Sequence, residues 1–144
     1  MYYIPPVDEE KTAKKVNKLL SGYDRLRRLS GYQGRLVANY RYTPEKHVKN
    51  AGNYSEDLIE IREEAKAKVL EIENAIDLVE PELGKILEKK YIKHFKNTEI
   101  YIEYCYSEST FYRLLRKAQI QFAEAFKGGE LLCFENENDR ITWN

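Results

Sequence analysis

Residues 98–126 constrain the fold more than any other segment, because they have the pattern of a short helix, a tight turn and a longer amphipathic helix. Ile100 and Ile102 are predicted to anchor the short helix, and residues 104–106 to form a compact connector. Ser107 follows at the position of a helix N-cap, where its hydroxyl can accept a hydrogen bond from a backbone N–H of the first turn. The segment therefore predicts two helices joined by a tight turn.

The longer helix of this pair has two contrasting faces. Apolar residues recur at three- and four-residue intervals, which predicts a face packed against a core. These residues are Phe111, Leu114, Leu115, Ala118, Phe122 and Ala125. The opposite face carries hydrogen-bonding or cationic side chains in the first turns, namely Ser109, Thr110, Tyr112, Arg113, Arg116 and Lys117.

Such a polar face is what a DNA-reading helix needs. In a helix-turn-helix the first turns of the second helix enter the major groove, where short polar groups and arginines reach base edges and nearby cations contact phosphates. An ordinary surface helix gives the same two-faced pattern and is the commoner explanation. The short preceding helix, the cap at Ser107 and the absence of an acid between Ser109 and Lys117 favour DNA binding. We therefore predict that Ser107 and the polar face bind double-stranded DNA.

Residues 107–114, SESTFYRL, are followed by Lys117-Ala118 and Phe122-Ala123. This pattern resembles the carboxy-terminal signature of the ArpU family of phage transcriptional regulators, which is related to the helix-turn-helix of region four in bacterial sigma factors. Residues 23–26 and 87–92 are similar as well, so the resemblance covers most of the chain between residues 11 and 126. It implies a DNA-binding regulator of late phage genes, such as those for lysis or packaging, in the bacterial cytoplasm.

The turn departs from that family pattern. Cys105 and Tyr106 stand where such turns usually hold a small residue or glycine.

Charge is distributed unevenly, although the net charge of the 144 residues is zero. Residues 11–49 contain eleven lysines or arginines and two acids, residues 54–82 contain three and ten, and residues 83–127 contain nine and five. Zero net charge argues against a protein that coats nucleic acid through bulk electrostatics. Two basic regions separated by an acidic one suit local DNA contacts.

Residues 1–54 are predicted to form a basic helical arm and a long connection. A helical pattern over residues 8–29 ends at Gly31, and Gly22 is expected to weaken or bend that helix. The arm contains Arg27, Arg28, Arg35 and Arg41, interleaved farther along with tyrosines. These arginines form either a second phosphate-binding surface or a solvated basic loop. A connection as long as residues 31–54 is usually mobile or functional.

Residues 55–126 are predicted to form a DNA-binding domain that begins with a long central helix capped by Ser55. The buried stripe predicted for this helix is Leu58, Ile61, Ala65, Val69, Ile72, Ile76 and Val79. Its other face is acidic and forms either a solvated surface or a contact with RNA polymerase. Pro81 is predicted to end it and to open the first helix of a three-helix unit.

Residues 127–144 are predicted to form a tail after two glycines. Its apolar side chains, among them Leu131 and Trp143, would dock on the body of the protein or on a second copy of the chain.

No catalytic, metal or cofactor site is expected. Cys105 and Cys133 are predicted to be free thiols, because neither lies at metal-ligand spacing from His47 or His94. The carboxylates have surface spacings, and no glycine-rich phosphate loop is present. Residues 1–6 are not expected to begin a signal peptide, because they lack a cationic start and an apolar run, and no segment has the roughly twenty apolar residues of a membrane span. We therefore expect a cytoplasmic protein that is not an enzyme and contacts no membrane.

The sequence thus predicts an all-α protein in which a long central helix carries a C-terminal helix-turn-helix, with an N-terminal helical arm. The expected function is sequence-specific DNA binding that regulates transcription, most simply by activating late phage genes. One alternative is a DNA-packaging protein like the small terminase of phages, which would form ring-shaped oligomers. The other is a helical protein-interaction module that does not bind DNA.

Overall fold

The computed structural model describes residues 1–32 and 56–143, and the all-α class is confirmed for them. Their α-helices are α1 (Glu9–Ser21), α2 (Tyr23–Ser30), α3 (Glu56–Leu78), α4 (Pro81–Leu87), α5 (Asn97–Glu103) and α6 (Glu108–Ala125). A π-helical turn over Glu88–Ile92 continues α4, and a 3-10 turn over Phe126–Gly128 follows α6. Two short antiparallel strands, β1 (Tyr2–Tyr3) and β2 (Thr142–Trp143), bring the two ends of the chain together.

Several predictions concern residues outside this description. Arg35, Arg41 and the expected cap at Ser55 lie outside the described residues, as does most of the long connection.

Helix boundaries follow local signals in the sequence. The predicted helix over residues 8–29 is two helices, because Gly22 ends α1 and precedes α2. Gly31 ends α2 with a φ of 69°, a left-handed conformation that glycine adopts without steric cost. Pro81 occupies the first turn of α4, where a missing N–H removes no helical hydrogen bond. The expectations for Gly22, Gly31 and Pro81 are confirmed.

One hydrophobic core joins both ends of the described chain. Helix α2 packs against α3, whereas α1 and α4 pack against α6. Val16 and Leu20 of α1 are fully buried, as are Phe111 and Phe122 of α6. The N-terminal helices are therefore part of the core that supports α6, and they do not project from it as an arm.

Helix α3 is covered along only part of its apolar stripe. Val69, Ile72 and Ile76 are buried as predicted, but Leu58 and Ile61 are 51% and 49% exposed. The prediction that these two residues are buried is wrong. The reason is the length of the neighbouring helix, since α2 ends at Gly31, which lies against the guanidinium of Arg62.

Two buried polar contacts set how the helices meet. The Tyr23 hydroxyl of α2 donates a hydrogen bond of 2.8 Å to the carboxylate of Glu73, a side chain only 2% exposed in the C-terminal third of α3. The Tyr91 hydroxyl donates to Asn17 of α1 and accepts from Gln119 of α6, both at 2.9 Å. Because buried polar groups are costly when unpaired, these bonds favour one arrangement of the helices.

The segment after α6 docks on the body of the same chain. Its backbone bonds to the start of the chain, with Asp8 N–H donating to the Cys133 carbonyl at 2.8 Å and Glu135 N–H to the Pro6 carbonyl at 3.0 Å. Leu131 packs against the core. The tail was predicted to dock either on the body of the protein or on a second copy of the chain, and its described residues dock on the body. Trp143 is an exception, because its side chain remains 74% exposed.

Candidate nucleic-acid interface

The turn between α5 and α6 closes through backbone hydrogen bonds. Cys105 N–H donates to the Ile102 carbonyl at 3.1 Å, and Tyr106 N–H donates to the Tyr101 carbonyl at 2.9 Å. This pair of bonds is the Schellman arrangement that ends many helices, and it requires a left-handed residue between them. Cys105 is that residue, with a φ of 59°. The position where Cys105 replaces the usual small residue is therefore a position that favours glycine.

Helix α5 is anchored by one of its two predicted isoleucines. Ile100 is fully buried, whereas Ile102 is 70% exposed, so the prediction that Ile102 anchors the helix is wrong. The physical reason is rotation, because two residues along a helix turn a side chain away from the face of its neighbour. The Tyr101 ring packs against Phe111, with 5.8 Å between ring centroids, and takes the place of Ile102 in joining α5 to α6.

Ser107 caps α6 as predicted. Its hydroxyl oxygen accepts the Thr110 N–H at 3.2 Å, and the hydroxyl donates to the Thr110 side chain at 2.8 Å. Both hydroxyls therefore hold the first turn together. Of the short polar side chains at the helix start, Ser109 is the exposed one with the least internal bonding, a single contact of 3.4 Å to Ser107.

The inner face of α6 packs against the core. Its buried residues are Phe111, Leu115, Ala118, Gln119, Phe122 and Ala123, and the predicted stripe members Leu114 and Ala125 lie at its half-buried edges. Since this face cannot rotate outward without breaking the core, the direction of the opposite face is determined.

That opposite face presents the predicted polar and cationic side chains to solvent. Tyr112 is 46% exposed, Arg113 is exposed and Arg116 is half-buried. No acidic side chain of residues 1–32 or 56–143 forms an ion pair with Arg113 or Arg116. Lys117 differs, because its amino group lies 3.7 Å from the Glu80 carboxylate. Within residues 1–32 and 56–143, no acidic side chain therefore competes with an external ligand for these two guanidinium groups.

Cations also precede α5 in the chain, and they were not among the predicted DNA-binding residues. Lys96 is exposed directly before α5, whereas Lys93 is half-buried and its amino group lies over the Phe95 ring, 5.9 Å from the ring centroid. The first helix of a helix-turn-helix crosses the phosphate backbone, so this position suits phosphate contacts. The signal in the sequence is the run of lysines from residue 85 to residue 96.

Two other lysines of that run are occupied internally. Lys89 bonds both oxygens of Glu103 at 2.6 Å, and this hydrogen bond raises the pKa of Lys89. Lys90 donates to the Asn97 side chain at 2.9 Å, and burial lowers the pKa of its amino group. These two lysines therefore secure α5 and are poor candidates for DNA contacts.

Tyr106 ties the turn to α4. Its hydroxyl donates a hydrogen bond to the Glu82 carboxylate, and this bond raises the pKa of Tyr106 to about 12. The hydroxyl therefore stays protonated at neutral pH. The contact holds the turn, and with it the first turn of α6, against the helix that begins at Pro81.

The two described arginines predicted for the N-terminal region have different environments. Arg28 is exposed, whereas the Arg27 side chain is only 20% exposed and lies 4.0 Å from the Asp24 carboxylate. Both belong to α2, whose principal neighbour is α3, whereas α6 packs mainly against α1 and α4. Of this pair, Arg28 is the better candidate for a phosphate contact.

The described parts of the chain also bear on metal ligands, on the two cysteines and on membrane-crossing helices. Residues 1–32 and 56–143 hold no group of three or more His, Cys, Asp or Glu side chains that could bind a metal ion. Cys105 and Cys133 are free thiols, as predicted. In the same residues, no helix combines the length and apolar character needed to cross a membrane.

Comparison with known proteins gives one match. Residues 53–123 match a family described as a protein of unknown function, DUF1492. The matched segment contains α3, α4, α5 and most of α6, and it excludes the N-terminal helices and the tail. No curated protein and no solved structure matches the chain.

Proposed function

We propose that this protein binds double-stranded DNA sequence-specifically and regulates transcription. The observation that carries the proposal is the outer face of α6, where Arg113 and Arg116 have no acidic partner among the described residues. These arginines lie in the first three turns of a helix whose opposite face is buried in the core. This is the part of a recognition helix that approaches base edges.

The division of roles among the side chains follows from their chemistry. Arg113 can donate two hydrogen bonds to guanine O6 and N7, and exposed Ser109 can bond to either purine or pyrimidine edges. Tyr112 adds an exposed hydroxyl beside them. Lys96 and Lys117 suit phosphates, which position a protein without specifying sequence. Lys117 remains a candidate although it pairs with Glu80, because both side chains of that pair are more than half exposed and such pairs are weak.

The regulatory part of the proposal rests on the resemblance to the ArpU signature. Its motif, residues 107–114, coincides with the cap and the first two turns of α6. The proposed targets are therefore late phage genes in a bacterial cytoplasm, and activation is the proposed outcome.

A binding experiment tests the proposal directly. The full chain is titrated with fragments of phage DNA at several salt concentrations, and the bound fragments are mapped to define an operator. We expect binding that weakens steeply with salt, and an operator preferred over random duplex by about a thousandfold or more.

The same titrations separate the alternatives. Absence of salt-sensitive binding to any duplex would contradict DNA binding and leave the helical interaction module. Binding confined to a packaging start site, together with ring-shaped oligomers in solution, would contradict transcriptional regulation and favour the packaging protein.

A further inference from the structure

A groove lies on the outside of α1 and α2, and we call it the α1–α2 groove. Its volume is about 440 Å³, and its lining residues are Lys15, Lys18, Leu19, Gly22, Arg25, Leu26, Leu29 and Leu131. Leucines form its floor, three cations border it, and no acidic residue lines it. An apolar groove with cations at its edge has the chemistry to bind an acidic amphipathic helix.

The same chain exposes a helix of that kind. The amino-terminal end of α3, residues 56–64, is named here the α3 tip. Its exposed apolar side chains are Leu58, Ile59 and Ile61, which are 45% to 51% accessible. Its exposed acids are Glu56, Asp57, Glu60, Glu63 and Glu64. The tip continues the apolar stripe of α3 beyond the point where α2 ends.

We propose that the α1–α2 groove of one protomer binds the α3 tip of a second copy of this chain. The leucine floor would accept Leu58 and Ile61, which lie three residues apart on one helix face. Lys18 and Arg25 would meet the carboxylates that flank those apolar residues. Complementary charges of this kind favour one partner and one register over others.

The positions of the two surfaces allow the contact to be made twice. Gly31 lies against Arg62, so the end of α2 adjoins the base of the α3 tip. Leu29, which lines the groove, is only two residues before Gly31. Because the groove and the tip lie side by side on one protomer, a two-fold axis can place the tip of each protomer in the groove of the other. Such an exchange closes a dimer, whereas a single unreciprocated contact would continue into a chain of molecules.

Charge argues against the simplest competing dimer. Pairing of one α3 tip with another would also cover Leu58 and Ile61, but it would bring five acids of one copy against five of the next. Like charges across an interface disfavour association. The groove offers cations instead, and it is therefore the better partner for the tip.

This inference does not rest on the proposed DNA binding. Its surfaces belong to α1, α2 and α3, and its readout is molecular mass in solution. Loss of dimerisation and loss of DNA binding are therefore separate experimental results.

Sedimentation equilibrium of the full chain tests the proposal over about 1 to 100 μM protein, a range that detects micromolar association. One variant reverses the groove charges, Lys18→Glu with Arg25→Glu. A second reverses the tip, Glu60→Lys with Glu63→Lys. All four side chains are exposed, so the helices themselves are expected to fold. Each variant alone is expected to raise the dimer dissociation constant by about tenfold or more.

Mixing the two variants gives the sharper result. In the mixed dimer, the acidic groove of the first meets the basic tip of the second, and the basic groove of the second meets the acidic tip of the first. An equimolar mixture is therefore expected to recover dimers that neither variant forms alone. The control variant, Lys11→Glu with Lys14→Glu, makes the same charge change on exposed positions of α1 that do not line the groove, and it should leave the dissociation constant unchanged.

Three results would overturn the proposal. The first is a wild-type chain that stays monomeric throughout the concentration range. The second is a dimer that the groove variant leaves unchanged, which would indicate pairing of α3 with α3 or another surface. The third is a mixture of folded variants that fails to form the mixed dimer.

Discussion

Helices α3 and α6 are the two longest helices of the described chain, with 23 and 18 residues, and both carry an apolar face at helical spacing. In α6 that face is buried from its first turn, where Phe111 has no exposed surface. In α3 it is exposed for two turns, and Ile61 is 49% accessible. The outer faces differ in sign as well, cationic at the start of α6 and acidic at the start of α3.

This difference shows that the same amphipathic pattern can lead to either a buried or an exposed apolar face. Where another helix covers the apolar face, the pattern contributes to folding stability. Where the covering helix ends early, as α2 does at Gly31, the same pattern leaves an apolar surface available to a partner. The pattern alone predicts which side of a helix is apolar. The neighbouring helices decide whether that side is buried in the core or exposed to a partner.

The largest expected effect contrasts Phe111→Ala with Ile61→Ala. Phe111→Ala should lower the free energy of unfolding by about 3–5 kcal/mol, because it leaves a cavity in the core, and DNA binding should be lost through unfolding. Ile61→Ala should cost less than about 1 kcal/mol, since its side chain is half exposed. Chemical denaturation measures both changes. Equal losses of stability would contradict the view that the apolar face is buried at the start of α6 and exposed at the start of α3.

The next effect concerns the buried Glu73 carboxylate in the C-terminal third of α3. Tyr23→Phe removes the hydroxyl that donates to Glu73, and the carboxylate loses a buried partner. We expect a loss of about 1–3 kcal/mol in the free energy of unfolding. Asn74→Ala, at an exposed position of the same helix outside the α3 tip, is the matched control and should change stability by less than about 0.5 kcal/mol.

Alkaline pH provides an independent check on that contact. Burial, with the nearby Glu73 carboxylate, raises the pKa of Tyr23. In the unfolded chain the hydroxyl ionises near its ordinary value of about 10. Its contribution to stability is therefore complete below about pH 10 and is lost as the pH rises above that value. Tyr23→Phe should lose less stability than the wild type above about pH 10, and an identical pH dependence would contradict this role.

The functional contrast is tested by Arg113→Ala on the outer face of α6. Loss of a two-bond contact to guanine should cost about 1–3 kcal/mol of discrimination, which is a reduction of roughly tenfold or more in preference for the operator over random DNA. Thermal stability should change little, because the side chain is exposed. Lys117→Ala should weaken operator and random DNA alike. If Arg113→Ala also weakens both equally, base reading lies with Ser109, Thr110 or Tyr112.

A substitution in the turn that joins α5 and α6 is expected to increase stability. Cys105 holds a left-handed conformation that costs a non-glycine residue about 1 kcal/mol or more, and Cys105→Gly removes that cost. We expect the free energy of unfolding to rise by about 1 kcal/mol. Cys105→Ala serves as the control, since it removes the thiol but keeps the Cβ. A similar gain in both variants would assign the effect to the thiol and not to the backbone.

The smallest expected effect compares the two described arginines of α2. If Arg28 contacts a phosphate, Arg28→Gln should reduce the salt dependence of DNA binding by about one unit of slope. Arg27→Gln should leave the slope unchanged, because Arg27 is mostly covered and lies beside Asp24. Unchanged slopes in both variants would remove α2 from the DNA interface.

Much of the candidate interface could be predicted from the sequence because it depends on local chemistry. The cap at Ser107 and the burial of Phe111 follow from residues within one or two helical turns. The partial coverage of α3, the exposure of Ile102 and the pairing of Arg27 with Asp24 were not predicted. The first two depend on the length and angle of a neighbouring helix, and the third on which rotation of α2 the core accepts.

The sequence by itself determined the helical class, the boundaries at Gly31 and Pro81, the weak point at Gly22, and the separation of charge between α3 and α6. Each of these comes from residue types and their spacing along a few turns. Only the tertiary structure decided that the N-terminal helices complete the core and that the tail docks beside Asp8. It also decided that the apolar stripe of α3 extends beyond the part that α2 covers. These outcomes depend on contacts between residues far apart in the chain, and a local pattern carries no information about where a distant helix ends.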